Sequence, residues 1–295
     1  LMGGLRYEYT DYDYDNRTGD GPACGPEASN CRFFRPADRS DDFSDWSANL
    51  GASYALTEQT VTYARIARGF RAPQTTELYR LQAGQEVADL DSEEIDNIEI
   101  GIRGGDTRWS YDLALFYMEK DEVIFQDADR QNVSGASTEH MGAELGLNYQ
   151  INDSWYVGAD MTAARHRYDS RIELLGSSGD IKGNDIDTAP RVFGSARLGW
   201  DLSASGWPAL AELEWVYLDE YYLEPDNEHK YDGHSLLNLR VRGDFGERWQ
   251  ATLRLTNLLD EDYAERADYG FGSYRYFVGQ PLGAYFELSY RLGGA

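Results

Sequence analysis

The chain has 295 residues, and its 52 Asp and Glu against 27 Lys and Arg give a formal net charge of −25. Nucleic acid is excluded as a partner because so acidic a surface would repel its phosphates. A disordered chain is excluded because aromatic residues make up 14% of the sequence. No apolar run approaches the roughly 20 residues of a membrane-spanning helix, but a transmembrane β-barrel hides its apolar surface in every second residue.

Apolar residues recur at every second position along most of the chain, a period typical of β-strands. Near the C-terminus, Leu282, Ala284 and Phe286 fall on one face, whereas Gly283 and Tyr285 fall on the other. The pattern predicts about twelve strands, in chain order 3–11, 44–56, 60–70, 94–104, 108–125, 137–151, 155–168, 190–202, 209–222, 235–245, 248–258 and 276–292.

The connections between these strands alternate in length. Short turns are predicted at 57–59, 105–107, 152–154 and 246–247. Long polar connections are predicted at 12–43, 71–93, 126–136, 169–189, 223–234 and 259–275. Short turns at one end and long loops at the other are typical of an outer-membrane β-barrel.

A soluble antiparallel sandwich also alternates, with one strand face in the core and one in water, and it is the alternative fold. Two features favour the barrel. Tryptophans stand at strand ends, where interfacial girdles lie: Trp46, Trp109, Trp155, Trp200, Trp215 and Trp249. The opposite face carries charges in mid-strand, as at Arg240 and Arg242, which a water-filled lumen tolerates.

The two cysteines of the chain, Cys24 and Cys31, lie in a polar stretch. Two free thiols there would be open to oxidation, whereas a short disulfide would staple the loop in an oxidising compartment. We expect the disulfide, and a pair of unconnected surface thiols is the alternative.

Four segments resemble the motifs of TonB-dependent outer-membrane receptors. Residues 61–73 (VTYARIARGFRAP) resemble a strand-and-loop signature, and residues 90–101 (LDSEEIDNIEIG) resemble the stretch that follows it. Residues 255–264 (LTNLLDEDYA) and 279–292 (GQPLGAYFELSYRL) resemble the family's closing motifs. Leu282 stands where an Arg often follows the Gly-x-Pro of that last motif.

The resemblance implies an all-β fold, an antiparallel transmembrane β-barrel in which this chain supplies about twelve strands of a 22-stranded barrel around a plug. Residues 1–292 are then the C-terminal portion of the barrel, with the plug domain and the early strands outside this chain. A self-contained twelve-stranded barrel is the alternative.

The resemblance also implies a function. The protein is expected in the outer membrane of a Gram-negative bacterium, where it imports a scarce large solute with energy from TonB, its partner through the plug. A ferric siderophore, that is, a metal chelate, is the expected solute. A non-energised channel, an adhesin and uptake of a non-iron substrate are the alternatives.

Enzymatic motifs are missing from the sequence. It has no phosphate-binding glycine loop, Cys-x-x-Cys pair or His-Glu-x-x-His arrangement, and no Ser/His pair is placed convincingly for catalysis on adjacent predicted strands. His229 and His234 share one predicted loop with Asp226 and Glu228, but solvated loop residues explain them better than a metal site. We therefore expect no catalytic residue, no cofactor and no metal ligand.

The long loops are the expected ligand-binding regions because binding residues concentrate on loops that a rigid scaffold holds. Their aromatic and cationic side chains suit a ring-bearing, partly anionic metal chelate. Placement in the outer interfacial girdle is the alternative for each tyrosine. The candidates are Tyr79, Arg80, Tyr221, Tyr222, Arg266, Tyr269, Phe271, Tyr274 and Arg275.

The carboxylates of the loops have a separate interpretation. Asp41 and Asp42, for example, are expected outside the membrane, where divalent cations bridge anionic lipopolysaccharide. Cation binding and a saline habitat are the alternatives. Outer-membrane lipid and lipopolysaccharide are therefore the expected surroundings of the barrel.

Overall fold

The computed structural model describes residues 1–24, 31–127, 129–175 and 177–292. The strands of the first half are β1 (Met2–Tyr14), β2 (Gly21–Pro22), β3 (Phe33–Arg35), β4 (Arg39–Ala55), β5 (Thr60–Arg71), β6 (Leu81–Gln82), β7 (Glu93–Gly105), β8 (Trp109–Gln126) and β9 (Asn132–Gln150). Those of the second half are β10 (Trp155–Tyr168), β11 (Val192–Asp201), β12 (Ala209–Leu218), β13 (Tyr221–Tyr222), β14 (Lys230–Tyr231), β15 (His234–Phe245), β16 (Trp249–Thr256), β17 (Ala264–Gly270), β18 (Ser273–Val278) and β19 (Gly283–Tyr290). A short helix, α1, spans Thr75–Tyr79, and a 3₁₀ turn spans Ser203–Ser205.

Twelve of the strands form one antiparallel sheet in the order β1-β4-β5-β7-β8-β9-β10-β11-β12-β15-β16-β19. Neighbours in this sheet follow one another along the chain and are interrupted only by the short strands of the loops. Each of the twelve overlaps one predicted strand, so the predicted antiparallel all-β fold is confirmed. The alternation of short and long connections is also confirmed: the sheet has a short-turn end and a long-loop end.

The last strand is shorter than predicted. The expected strand 276–292 is divided in two, since β18 ends at Val278 and belongs to a separate hairpin with β17, whereas β19 begins at Gly283. Pro281 lies between the two strands, and it has no N–H to donate to a ladder. The boundary predicted at 276 is therefore wrong. The boundary predicted at 222 is wrong as well, since β12 ends at Leu218 and Tyr221–Tyr222 belong to the separate hairpin β13–β14.

One face of the sheet, here called the apolar face, carries aliphatic side chains in directly opposed rows. Ile66 of β5 lies opposite both Leu50 of β4 and Ile98 of β7. Ile100, one step along the same face, lies opposite Leu115 of β8 and is 52% exposed. So many exposed aliphatic side chains in register form a surface that is far too apolar to face water.

Aromatic pairs border the apolar face at both ends of the strands. At the short-turn end, Trp155 stacks on Trp200 with ring centroids 5.0 Å apart, and Trp249 lies 4.6 Å from Tyr290. At the long-loop end, the ring of Trp46 lies 4.8 Å from that of its cross-strand neighbour Tyr7. Two such girdles on either side of an aliphatic band match the profile of a lipid bilayer.

The other face, here called the polar face, carries charges along the middle of the strands. Glu99 and Asp112 lie on it, as do Glu144, Asp160 and Arg197, and Arg197 pairs with Asp160 across two adjacent strands. This face therefore has the polar, charged character expected of a barrel lumen.

The hydrophobic core of the described residues lies in the loops. One buried cluster comprises Leu78, Leu81, Ala88 and Leu90, and the second comprises Tyr221, Leu223, Ala264 and Ala267. A sandwich would instead bury one face of its sheet against a second layer. The alternative of a soluble sandwich is therefore wrong. None of the helices among the described residues is long and apolar enough to cross a membrane.

Candidate functional site

The first loop cluster is built around α1, which fills the connection between β5 and β7. Gln74 and Glu77 cap the start of this helix reciprocally, and the Glu77 carboxylate accepts the Gln74 N–H at 2.6 Å. Leu78 is fully buried beside Leu81. Asn132, the first residue of β9, donates its side-chain N–H to the Glu77 carbonyl at 2.8 Å, and this bond attaches the cluster to the sheet.

A buried carboxylate holds the base of this cluster. Glu93 accepts hydrogen bonds from Arg71 Nε at 2.8 Å and from the Ile124 amide at 2.9 Å, and Lys120 Nζ lies 2.9 Å from it. Its side chain is only 5% exposed. Burial alone raises the pKa of a carboxyl, but the bonds from Arg71, Ile124 and Lys120 outweigh it and lower the pKa of Glu93 to about 2. Glu93 is thus charged and fixed at neutral pH.

Tyr79, a predicted ligand residue, forms part of the wall of this cluster. Its ring stacks on Tyr14 with centroids 4.5 Å apart, and its hydroxyl donates to Asp41 Oδ2 at 2.8 Å. Burial and this carboxylate both raise the pKa of Tyr79. Its ring is therefore held in place by residues of β1 and β4.

Arg80, the next predicted residue, lies on an aromatic ring together with a second arginine. Strands β3 and β6 pair Phe33 with Gln82, so that the residues beside them converge. The guanidinium carbon of Arg80 lies 4.2 Å from the Phe33 ring centroid, and that of Arg32 lies 5.3 Å from it. Both distances are typical of cation–π contacts.

A cavity of about 420 Å³ opens beside these two arginines. Phe33 lines it together with Arg32 and Arg80, and amide side chains from two strands, Gln82 and Gln126, supply further hydrogen-bonding groups. Planar cationic, aromatic and amide groups around one cavity are the set that binds a ring-bearing anion.

The arginines of this cavity differ from most others in the chain. The ion pairs within 4.0 Å that the described residues form involve neither Arg32 nor Arg80. Glu77 also lines the cavity, but both its oxygens bind Arg71, at 2.9 and 3.1 Å. Two guanidinium groups that form no ion pair with the described residues thus lie side by side at one cavity.

The second loop cluster joins two hairpins, β13–β14 and β17–β18. The hydroxyl oxygen of Tyr221 accepts the Ala267 N–H at 2.8 Å, and that of Tyr231 accepts the Ala264 N–H at 3.0 Å. Tyr221 is buried in this contact, so this predicted ligand residue supports the loops from within.

Two more of the predicted tyrosines surround His229. The imidazole stacks on Tyr269 with centroids 3.7 Å apart, and Tyr274 meets it edge-on at 5.4 Å. Glu224 accepts the backbone N–H of His229 at 2.7 Å. His234, the other histidine of the predicted loop, lies on β15 and bonds Tyr231. Within the described ranges, no group of three or more His, Cys, Asp or Glu side chains is placed to hold a metal.

The remaining predicted residues lie on the exposed surfaces of the second cluster. Arg266 and Arg275 both pair with Asp268, and Arg275 also lies over the Phe271 ring. Phe271 is 89% exposed at the tip of its hairpin. The ammonium nitrogen of Lys230 lies 4.7 Å from the centroid of the Tyr222 ring. The nine predicted residues therefore fall into two clusters, and contact of any of them with ligand stays a prediction.

Two further contacts stabilise the loops, one within a connection and one between two connections. Cys24 and Cys31 form a disulfide with Cα atoms 5.6 Å apart, and the residues between them lie outside the described ranges. The Asp185 carboxylate accepts hydrogen bonds from Arg165 Nε and Arg191 Nε, both at 2.9 Å. The backbone N–H of Asp185 donates to Asn227 Oδ1 at 2.8 Å. The connections after β10 and after β12 are thus joined at Asp185.

Sequence reasoning missed Arg32, Phe33 and the cavity that they share with Arg80. A local signal was present, because Arg32 and Phe33 stand next to a cysteine in the longest polar connection. Only the pairing of β3 with β6 brings them to Arg80.

Comparisons with known proteins agree with this architecture. A family model described as "TonB dependent receptor-like, beta-barrel" matches residues 1–258. The vitamin B12 transporter BtuB of Photobacterium profundum is 22% identical over 254 residues, which cover 83% of this chain and 39% of that protein. The pesticin receptor of Yersinia pestis is 22% identical over 217 residues, 72% of this chain and 31% of that protein.

The crystal structure of the ferric yersiniabactin uptake receptor FyuA from Yersinia pestis has the same fold. It superposes with a TM-score of 0.78 and 16% identity, over 98% of this chain and 43% of that one. The chain thus spans less than half the length of each of these three proteins. Since the family model covers most of its residues, the chain belongs to the TonB-dependent receptor β-barrel family of outer-membrane proteins.

Proposed function

We propose that this chain is the C-terminal portion of a receptor barrel that binds a scarce large solute at the cell surface and imports it across the outer membrane. TonB supplies the energy in this proposal, through a plug domain that lies outside residues 1–295. Membership in the family supports it. The two packed loop clusters at the long-loop end support it as well, because they give the predicted ligand-binding loops a defined structure.

The observation that carries the proposal is the cavity at Arg32, Phe33 and Arg80. Its two guanidinium groups, which form no ion pair with the described residues, suit an anionic ligand, and the ring between them suits a flat or aromatic one. A ferric siderophore combines both properties. Binding and transport, with no bond made or broken in the solute, are the activity that these groups support.

The surroundings of the barrel follow from its outer surface. We infer that the apolar face contacts outer-membrane lipid between its two aromatic girdles. The acidic side chains of the loops above it lie at the level of lipopolysaccharide, where divalent cations would bridge like charges.

The test uses the full-length receptor in detergent. Ferric complexes of a catecholate, a hydroxamate and a carboxylate siderophore are titrated by calorimetry, with cyanocobalamin as the non-iron solute. We expect the anionic ferric complexes to bind, and Arg80→Ala to weaken their binding about tenfold to a hundredfold, as expected for the loss of a charged hydrogen bond. Arg108→Ala is the matched control, because Arg108 lies in a turn at the opposite end of the sheet.

Two results would contradict the proposal. Equal affinities of Arg80→Ala, Arg32→Ala and the parent receptor for the ferric complexes would mean that the ligand does not bind in this cavity. Uptake that is undiminished in cells without TonB would instead identify a non-energised channel, whatever the cavity binds.

A further inference from the structure

Two histidines face each other on the polar face, far from the loop cavity. His140 of β9 and His166 of β10 occupy directly opposed positions in the ladder. Their Nδ1 atoms lie 2.8 Å apart, with ring centroids at 5.1 Å and planes inclined by 55°. Both side chains are half-buried.

The contact between the two rings is a hydrogen bond. One Nδ1 therefore carries a proton and the other presents a lone pair. The Thr138 hydroxyl lies 2.9 Å from His140 Nε2 and can accept a hydrogen bond from an N–H there, which leaves the lone pair of His140 Nδ1 directed at His166. A second partner that fixes the tautomer of a histidine is a recurrent feature of metal ligands.

Both nitrogens lie within reach of one metal ion. Two metal–nitrogen bonds of about 2.0 Å place their nitrogens about 2.8 Å apart at a right angle and about 3.3 Å apart at a tetrahedral angle. The observed 2.8 Å is the length of the hydrogen bond between the rings, so a small movement of the rings reaches either arrangement. Imidazole nitrogens suit copper, and Cu(II) binds most tightly among the divalent first-row metals.

The neighbours of the pair agree with this assignment. Met118 of β8 lies directly opposite His140, so that a thioether and two imidazoles follow one another across three strands on the polar face. Thioethers are soft ligands that favour copper, Cu(I) most strongly, and methionine is also a weak ligand in protein copper sites. The nearest cation on β8, Lys120, is already bound to Glu93 at 2.9 Å.

We propose that His140 and His166 bind one copper ion on the polar face, as a site separate from the ligand cavity. The metal bonds to the Nδ1 lone pair of each ring. The proton that the rings share moves to Nε2 of His166, so that both imidazoles stay neutral and no proton is lost. The rings need only turn until both lone pairs point to one position.

The experiment titrates the full-length receptor, stripped of metal and without an affinity tag, with Cu²⁺. Calorimetry gives the stoichiometry and affinity, and electron paramagnetic resonance gives the number of coordinating nitrogens. We expect a site whose spectrum shows two equivalent imidazole nitrogens. His140→Gln and His166→Gln should each lower its affinity at least tenfold and remove that two-nitrogen pattern.

His229→Gln is the matched control, because His229 stacks on Tyr269 within the second loop cluster and should not change the spectrum. Heat-modifiable migration of each variant shows whether its barrel is intact. An unchanged copper affinity and spectrum in folded His140→Gln, or no copper bound by the parent receptor, would overturn the assignment. Neither result bears on siderophore binding at Arg80, which is measured separately.

Discussion

The phenol ring of Tyr156 occupies the space that a side chain on Gly199 would need. The two residues are directly opposed on β10 and β11, and a Cβ atom built on Gly199 would overlap the ring. Tyr63 and Gly101 repeat this arrangement on β5 and β7. On a polar face without a core, an aromatic ring that covers a glycine on the adjacent strand buries apolar surface and fixes the register.

We therefore expect Gly199→Ala to destabilise the sheet by about 1–3 kcal/mol, the usual cost of forcing extra volume into a packed contact. The midpoint of heat-modifiable migration in detergent measures the change. Gly146→Ala is the control: Gly146 also lies on the polar face, but the nearest atom that a new Cβ would meet there, an Asp160 oxygen, is at an ordinary 3.5 Å.

A double variant separates this contact from a general effect of alanine. Once Tyr156→Ala has removed the ring, Gly199→Ala should cause little further loss of stability, because the effects of substitutions at contacting residues are not additive. Additive losses would mean that the ring does not rest on Gly199.

Tyr221→Phe should loosen the second loop cluster without changing the sheet. The substitution removes the acceptor of the buried Ala267 N–H, and an unsatisfied buried donor costs about 1–3 kcal/mol. Hydrogen exchange at Ala267 should accelerate, whereas exchange in β10 should not. Tyr276→Phe, at an exposed hydroxyl of the same hairpins, is the control, and equal exchange in the two variants would contradict the role of Tyr221.

The first loop cluster should open in acid through Glu93. Its pKa of about 2 in the folded loop lies below the ordinary 4.5, so its ion pairs stabilise the loop above pH 4.5 and that stability is lost as the pH falls toward 2. The rate at which pepsin cleaves connection 72–92 should rise as the pH falls from 4.5 toward 2. At each pH the rate is divided by that of an unstructured reference peptide, which removes the pH dependence of pepsin itself. Glu93→Gln should lower the free energy of loop opening by about 1–3 kcal/mol and so be cleaved faster. Its cleavage should no longer depend on pH in this range. A parallel pH profile in both proteins would exclude Glu93 as the titrating group.

The sheet could be predicted from the sequence because its signal is local. Each strand carries its own alternation, so the positions of Leu50 or Leu115 in the apolar band need no knowledge of the partner strand. Two boundaries were wrong where aromatic residues of a loop hairpin continue the pattern of a strand, at Tyr276 and Phe277 before β19 and at Tyr221 and Tyr222 after β12.

The site could be predicted only in part, because its contacts join distant residues. Arg80 was expected in the site, but its ring partner Phe33 is 47 positions away and reaches it through two short strands. Tyr269 was expected to be free for ligand, yet it packs on His229 from another hairpin. His140 and His166 meet through the register of β9 and β10, which a single sequence does not reveal.

The orientation of the sheet in the membrane can be tested with two lysines. Ile100→Lys places a charge in the middle of the apolar face, where a cation facing lipid costs about 2–4 kcal/mol. Ser195→Lys places the same charge on the polar face, opposite Asp160, where water and a carboxylate receive it. We expect folding titrations in lipid vesicles to show the full loss for Ile100→Lys and less than about 1 kcal/mol for Ser195→Lys. Equal losses would mean that the apolar face does not contact lipid, and the reverse order would mean that the sheet faces the bilayer with its charged side.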